Sequence, residues 1–435
     1  MDRLKNALCA LPLCALAGCL QLPPVADMSS GVTLEPGSPA LATLPFTLDD
    51  NRVFVEVSFV RPDGSAHKAL AFVNQGQGGL TLSNALFREL DPRPGRDLHM
   101  TFGAMKIAVD GGAALPESLS NGMSIGLNPF GGPPSPQESA QGPGGEMQAF
   151  AAPLPVEAVI PPGLLQHFQV VFDYGARTMT LAAPGTLGPD GIAVPIRVNP
   201  HTGFAVTDAA IDGVRHVFVI DNGGSYSALR STDGLVAAHP DWLRAEGGVG
   251  EANLTMRGLE AGAPVVRAPH VAVGALILDD VGLLDMGGGG GLTGGVAGHL
   301  FWDSIYSAKA GEDVDGILAG NVLKGYRLTI DYPGRMSYWR AEAPPDAHDL
   351  DDVGLTLWRW KGATTIAGIA KKDGRDTVSG VAPGDVLLKI DGRDTKDMTR
   401  GELLSALHGK PGEVKHLTLA RDGKAFEVDV KVTAF

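Results

Sequence analysis

Cysteine is nearly absent from this chain of 435 residues, and the three present, Cys9, Cys14 and Cys19, all fall at its very start. Beyond them no thiol is left for a disulfide, so the fold must be held by its own apolar cores. A basic excess is missing as well. Thirty-five Lys and Arg stand against 49 Asp and Glu, a formal net charge of −14, and no stretch gathers the cations into a stripe. That excludes a nucleic-acid-binding surface. The 11 histidines are scattered, none paired at metal-ligand spacing with another His or Cys, so neither a metal nor a cofactor is expected. Apolar runs are short, and helical periodicity is scarce before roughly the last eighty residues. Glycine (59) and proline (31) are abundant. The chain therefore reads as mainly β.

Arg3 and Lys5 form a small basic region ahead of an apolar run, Ala7 to Ala17, that is too short to span a bilayer. Leu16-Ala17-Gly18-Cys19 resembles a bacterial lipobox. By that resemblance residues 1–18 are a lipoprotein signal peptide, and Cys19 is lipidated and becomes the first mature residue. The implied location is the bacterial cell envelope, with the membrane as a partner through the lipid anchor. Leu20, not Asp, follows the cysteine, the pattern that sends enteric lipoproteins to the outer membrane, facing the periplasm. Residues 19–44, rich in Pro, Ser and Gly, are expected to be a tether.

The remainder is built on a duplication. Phe218-Val219-Ile220-Asp221-Asn222-Gly223-Gly224-Ser225 has a copy in Phe72-Val73-Asn74-Gln75-Gly76-Gln77-Gly78-Gly79, in which Asn74 stands where Asp221 stands. Leu164–Arg177 likewise matches Val322–Arg335, with Asp173 and Asp331 in equivalent places. Units this long suit two lobes of one fold, 45–186 and 191–340, rather than a solenoid. A strand could carry the Asp221 carboxylate into a tight turn whose glycines let another backbone approach, although Asp-Asn-Gly also marks an ordinary hairpin. Asp173 and Asp331, each before Tyr and a Gly-containing turn, are expected to shape hairpins. Gly122-Met123-Ser124-Ile125-Gly126 matches a serine-hydrolase elbow, but Leu127–Pro134 cannot supply the helix which that chemistry needs. The glycine run 287–291 lacks the Lys and helix of a phosphate cradle and reads as a loop.

An acidic linker, 341–352, leads to a third unit, 353–435. Its clearest element is a helix from Thr399 to Leu407. Thr399 is the N-cap, Glu402 completes a capping box, and Gly409 is placed as a C-cap. Val414–Ala420 and Phe426–Val432 form a closing hairpin around Arg421-Asp422-Gly423.

Val219-Ile220-Asp221-Asn222-Gly223-Gly224-Ser225 resembles the signature of the retropepsin/pepsin clan of aspartic peptidases. Gly316–Leu323, running into Ile330-Asp331-Tyr332, resembles the second half of that unit. The likeness covers both lobes, about two-thirds of the chain. It implies two retropepsin-like β-barrel lobes, a polypeptide substrate, and a catalytic loop of Asp221, Asn222 and Gly223. In that chemistry two facing aspartates share one proton. The ionised one takes a proton from water and the protonated one polarises the peptide carbonyl. Here the partner position is Asn74, which can donate a hydrogen bond but cannot exchange a proton. The hydroxyl that ties the two family loops together is also missing, with Asn222 in its place. Catalysis is therefore expected to be weakened or lost. The alternative is an active endopeptidase that pairs Asp221 across a homodimer. The sequence leaves open both the enzymatic status and the oligomeric state.

The third unit resembles a PDZ domain of the protease-associated bacterial type, carried by Gly384-Asp385 and Ile390-Asp391-Gly392. Its implied partners are peptide C-termini. Val353, Gly354 and Leu355 would be the carboxylate-binding loop, and the helix would wall the groove. Val432-Thr433-Ala434-Phe435 also resembles a PDZ-binding tail, although a closing strand that ends there accounts for it.

Overall fold

The computed structural model describes residues 27–117, 153–255, 260–287, 298, 301–360 and 362–435. Cys19, Gly122–Gly126 and most of the glycine run 287–291 lie outside the described residues. The mainly β reading holds: two β lobes share one sheet, and a smaller α+β unit follows.

The shared sheet centres on two sequence-equivalent strands. Gln169–Asp173 lies antiparallel to Tyr326–Asp331, with Gln169 opposite Asp331, Val171 opposite Thr329 and Asp173 opposite Arg327. Because positions 173 and 331 are equivalent, this ladder maps onto itself by a two-fold rotation through the Val171/Thr329 pair. Thr178–Ala182 and Leu41–Asp49 extend the sheet on one side, and Met336–Ala341 and Ile192–Pro195 on the other. Val170, Phe172, Leu328, Ile330 and Trp339 fill its buried face. The hairpin role of the two aspartates is as expected. The Ala176 N–H donates to Asp173 Oδ1 at 2.7 Å and the Gly334 N–H to Asp331 Oδ1 at 2.9 Å. Arg177 and Arg335, at φ 56° and 53°, complete matching turns.

The expected tether, 19–44, is shorter than its composition suggested. Val32–Leu34 pairs with Met105–Asp110, and Leu41–Asp49 pairs with Thr178–Ala182 and with Arg52–Val60. Along Leu41–Asp49 the side chains alternate, with Ala42, Leu44 and Phe46 buried and their neighbours exposed. That period of two makes a strand regardless of the prolines and serines around it.

In lobe one, Arg52–Val60 and Ala66–Val73 form a hairpin, and Val156–Ile160 runs parallel to the second strand. In lobe two, Ala205–Ile211 and Val214–Ile220 form the matching hairpin, with Gly316–Leu318 parallel to it. The parallel strand fixes the start of each loop. The Asn74 N–H donates to Ile160 O at 3.0 Å and the Asp221 N–H to Leu318 O at 2.9 Å.

In the third unit, strands Leu355–Trp360, Ala363–Ile369, Val386–Ile390, Val414–Arg421 and Lys424–Lys431 follow one another across the sheet. The helix Arg400–Leu407 has the full Thr399/Glu402 capping box. Gly409 does not act as the C-cap: His408 ends the helix in an extended conformation, and a β-carbon on Gly409 would stand 2.6 Å from Glu413 Oε2. Nor is 341–352 a free linker. Asp349 and Leu350 are buried, Asp349 pairs with Arg267, and its carbonyl accepts from the Glu251 N–H at 2.9 Å. Acidic composition hid a specific cationic partner in lobe two. The unit is fastened elsewhere too. Its hairpin Lys371–Lys372/Arg375–Asp376 extends the lobe-two sheet through Lys371 opposite Glu246. The Thr399 hydroxyl and the Gly401 N–H both donate to Asp49 Oδ1 of lobe one.

If Leu41–Asp49 belongs to the sheet, a chain starting at Pro45 loses half of that strand. It should melt well below a chain starting at Asp27, or fail to fold, by circular dichroism. Equal melting temperatures would restore the tether reading.

Candidate functional site

The two-fold of the shared sheet brings the loops after Val73 and Ile220 together. A β-carbon on Gly76 would stand 2.5 Å from Asp221 Oδ2 and 3.2 Å from Asn74 Oδ1. Those two oxygens are therefore no more than 5.7 Å apart, the sum of the two distances. On the opposite loop, a β-carbon on Gly223 would overlap the Asn74 side chain. Only glycine at 76 and 223 lets the loops approach this closely. Each loop holds its own polar head in the same way. The Gly76 N–H donates to Asn74 Oδ1 and the Gly223 N–H to Asp221 Oδ1, both at 2.8 Å. Asn74 thus faces Asp221 from within the same chain.

The loops are also tied reciprocally by side-chain amides. Asn222 Oδ1 accepts from the Gln75 N–H and Gln75 Oε1 from the Asn222 N–H, each at 3.2 Å. Positions 75 and 222 are equivalent, so the two bonds are symmetric about the same axis. Gln75 is the partner of Asn222 that the sequence reading did not identify. Gln75 Nε2 further donates to Tyr332 OH at 2.8 Å, which joins the grip to the shared sheet.

Asp221 is 1% exposed, and its Oδ2 accepts from Tyr306 OH at 2.8 Å. Burial pushes its carboxyl above the usual range, against hydrogen bonds from Tyr306 and from backbone N–H groups that favour the ionised form. Tyr306 is the penultimate residue of the helical segment Phe301–Ser307. Lys309, one turn on, is 3% exposed. Burial lowers its ammonium to about 8, with Asp221 as the opposing attraction. Tyr174 and Tyr332 also face this charge, and burial raises both hydroxyls. The sequence reading singles out neither Tyr306 nor Lys309, which follow a glycine run that reads as a loop.

In the third unit, the residues expected to hold a peptide terminus are engaged by this chain. The Gly354 N–H donates to Asp352 Oδ1 at 3.0 Å, and Val353 and Leu355 direct their N–H groups to the same carboxyl. Burial raises that carboxyl to about 7. The edge of Leu355–Trp360 is covered by lobe two. Asn253 Nδ2 donates to Leu355 O at 2.9 Å, the Leu357 N–H donates to Asn253 Oδ1 at 3.1 Å, and the Arg359 N–H donates to Thr255 O at 3.3 Å. From the helix, Arg400 donates to Leu254 O at 3.1 Å and to the Thr255 hydroxyl. The N–H groups at 353–355 and the edge of Leu355–Trp360 are thus both engaged within the chain.

No protein-family model matches the chain, and no curated protein matches it. Solved structures similar to it include the following two. One is an aspartic proteinase from Irpex lacteus, 11% identical, covering 69% of this chain and 97% of its own, with a TM-score of 0.34. The other is a retropepsin-like aspartic protease from Rickettsia conorii, 17% identical, covering 36% of this chain and 96% of its own, with a TM-score of 0.22.

The amide grip makes a direct prediction. Gln75→Ala leaves the buried Asn222 N–H without its acceptor and should cost about 1–3 kcal/mol in urea unfolding. Asn222→Ala should behave similarly, and the double variant should lose less than the sum of the two. Strict additivity would show that the residues do not act as a pair.

Proposed function

We propose that this chain is an envelope-anchored polypeptide-binding protein built on the two lobes of an aspartic peptidase, with its peptide-bond chemistry weakened or lost. One observation carries the reading: a single ionisable acid, Asp221, faces an amide, Asn74, across the two-fold. Hydrolysis in such a cleft needs one group to take a proton from water and another to return one. Asn74 can only orient. General acid–base catalysis contributes typically ~10²–10⁴-fold, so its loss leaves a two-lobed site that is slow to cut a peptide bond. The homodimer reading loses ground because lobe one already fills the place of the second copy. The lipobox-like Leu16–Cys19 supports the anchor.

In this reading the third unit is a PDZ domain that fastens the lobes to each other. Its groove takes a foreign peptide end only by displacing Asn253–Thr255, and its carboxylate seat is held by Asp352.

Two experiments test the proposal. The soluble chain from Leu20 is incubated with an unfolded protein between pH 3 and 7, beside Asp221→Asn. No cleavage above the Asp221→Asn background is expected; cleavage that this variant abolishes would sink the proposal and restore an active endopeptidase. Separately, Asn253→Ala should bind a fluorescent peptide with an apolar C-terminus at least about tenfold more tightly than the native chain, by anisotropy, since it vacates the strand edge. Equal affinities would rule out a groove closed from within.

A further inference from the structure

The two-fold that relates the loops is broken at one link. Gln75 and Asn222 are equivalent, and so are Tyr332 and Tyr174, the residues that follow Asp331 and Asp173 in the paired strands. The rotation therefore carries the pair Gln75/Tyr332 onto the pair Asn222/Tyr174. On the first side the contact is direct, with Gln75 Nε2 donating to Tyr332 OH at 2.8 Å. On the second side the arm is one methylene shorter. Asn222 Oδ1 is committed to the Gln75 N–H at 3.2 Å, which leaves Nδ2 as the counterpart of Gln75 Nε2. Among the described residues, neither Asn222 Nδ2 nor Tyr174 OH has a hydrogen-bond partner, although Asn222 is 0% and Tyr174 3% exposed.

Neither group is free to close the difference. The Asp221 N–H is held by Leu318 O at 2.9 Å and the Asn222 N–H by Gln75 Oε1 at 3.2 Å, so the loop is fixed beside the axis. The Tyr174 ring packs edge-on against Phe46, with centroids 5.6 Å apart, and lies against Phe172. A buried donor and a buried hydroxyl left unbonded are costly, and protein interiors satisfy such groups with ordered water. Tyr174 also lines a cavity of about 220 Å³ shared with Arg177, Lys324 and Asp349, which has room for several water molecules.

We infer that a buried water molecule completes the grip on the lobe-two side, accepting from Asn222 Nδ2 and hydrogen-bonded to Tyr174 OH. Its role is positioning: it holds Asn222, and Asn222 holds the loop. The loop of Asn74 is thus tied to the shared sheet by a side chain, and the loop of Asp221 by solvent. A water bridge adjusts in length and angle where a covalent arm does not, so the loop that bears the acid keeps a freedom its partner lacks. The inference is independent of the functional reading above, since a cutting site and a binding site need the same tether.

The test is a crystal structure of the chain from Leu20, at a resolution that shows ordered water, beside two variants. In the native chain one water should lie within about 3.2 Å of both Asn222 Nδ2 and Tyr174 OH. In Asn222→Gln the added methylene should bring the amide onto Tyr174 OH and expel that water. In Gln75→Asn the lost methylene should admit a second water, between the shortened amide and Tyr332 OH. A native structure with no water bonded to both atoms, or with a direct bond from Asn222 to Tyr174, would overturn the inference. So would a water that persists in Asn222→Gln, or a Gln75→Asn structure without the second water. If Asn222→Gln does not fold, the native and Gln75→Asn structures decide the matter alone.

Discussion

The antiparallel pairing of Gln169–Asp173 with Tyr326–Asp331 is the contact on which the arrangement rests. It joins two copies of one sequence unit in a register that their equivalence makes symmetric. Everything nearer the site inherits that symmetry. The same carbonyl pins the start of each loop, the same glycine N–H holds each polar head, and the two amides at 75 and 222 exchange bonds. A shift of one residue in the ladder would turn every side chain of those strands to the opposite face and break all of these correspondences together.

Against this symmetric frame the chemistry is asymmetric. One loop presents a carboxylate and the other an amide, and the added groups, Tyr306 and Lys309, both come from lobe two. The lobes therefore contribute unequally: lobe one supplies the Asn74 amide and the Tyr174 hydroxyl, and lobe two supplies the carboxylate with Tyr306 and Tyr332 beside it. Burial makes this division consequential, because a charge held away from water responds strongly to each neighbour gained or lost.

Much of this was legible in the sequence. The repeat exposed Asp221 and Asn74 as counterparts, since a glycine-rich turn after an apolar strand survives as a pattern even when its acid does not. The strand Leu41–Asp49 was missed because composition averaged over a window conceals a period of two. Gln75 was missed because its role exists only across the two-fold, where position 222 becomes its neighbour. Lys309 was missed because a long charged side chain is expected on a surface, and nothing local says that it points inward. The glycine and the helix of the third unit were legible, but Asn253–Thr255, which covers the edge of Leu355–Trp360, lies about a hundred positions earlier in the chain, and no local pattern links the two.

The strand Leu355–Trp360 is the outermost of its sheet, and its free side is covered by lobe two. A bare edge of this kind is a template for pairing with any extended chain, including another copy of itself. The internal occupant therefore also acts as a guard against aggregation. A third unit separated from its lobes by proteolysis would carry that edge open, free to pair with any extended chain it met.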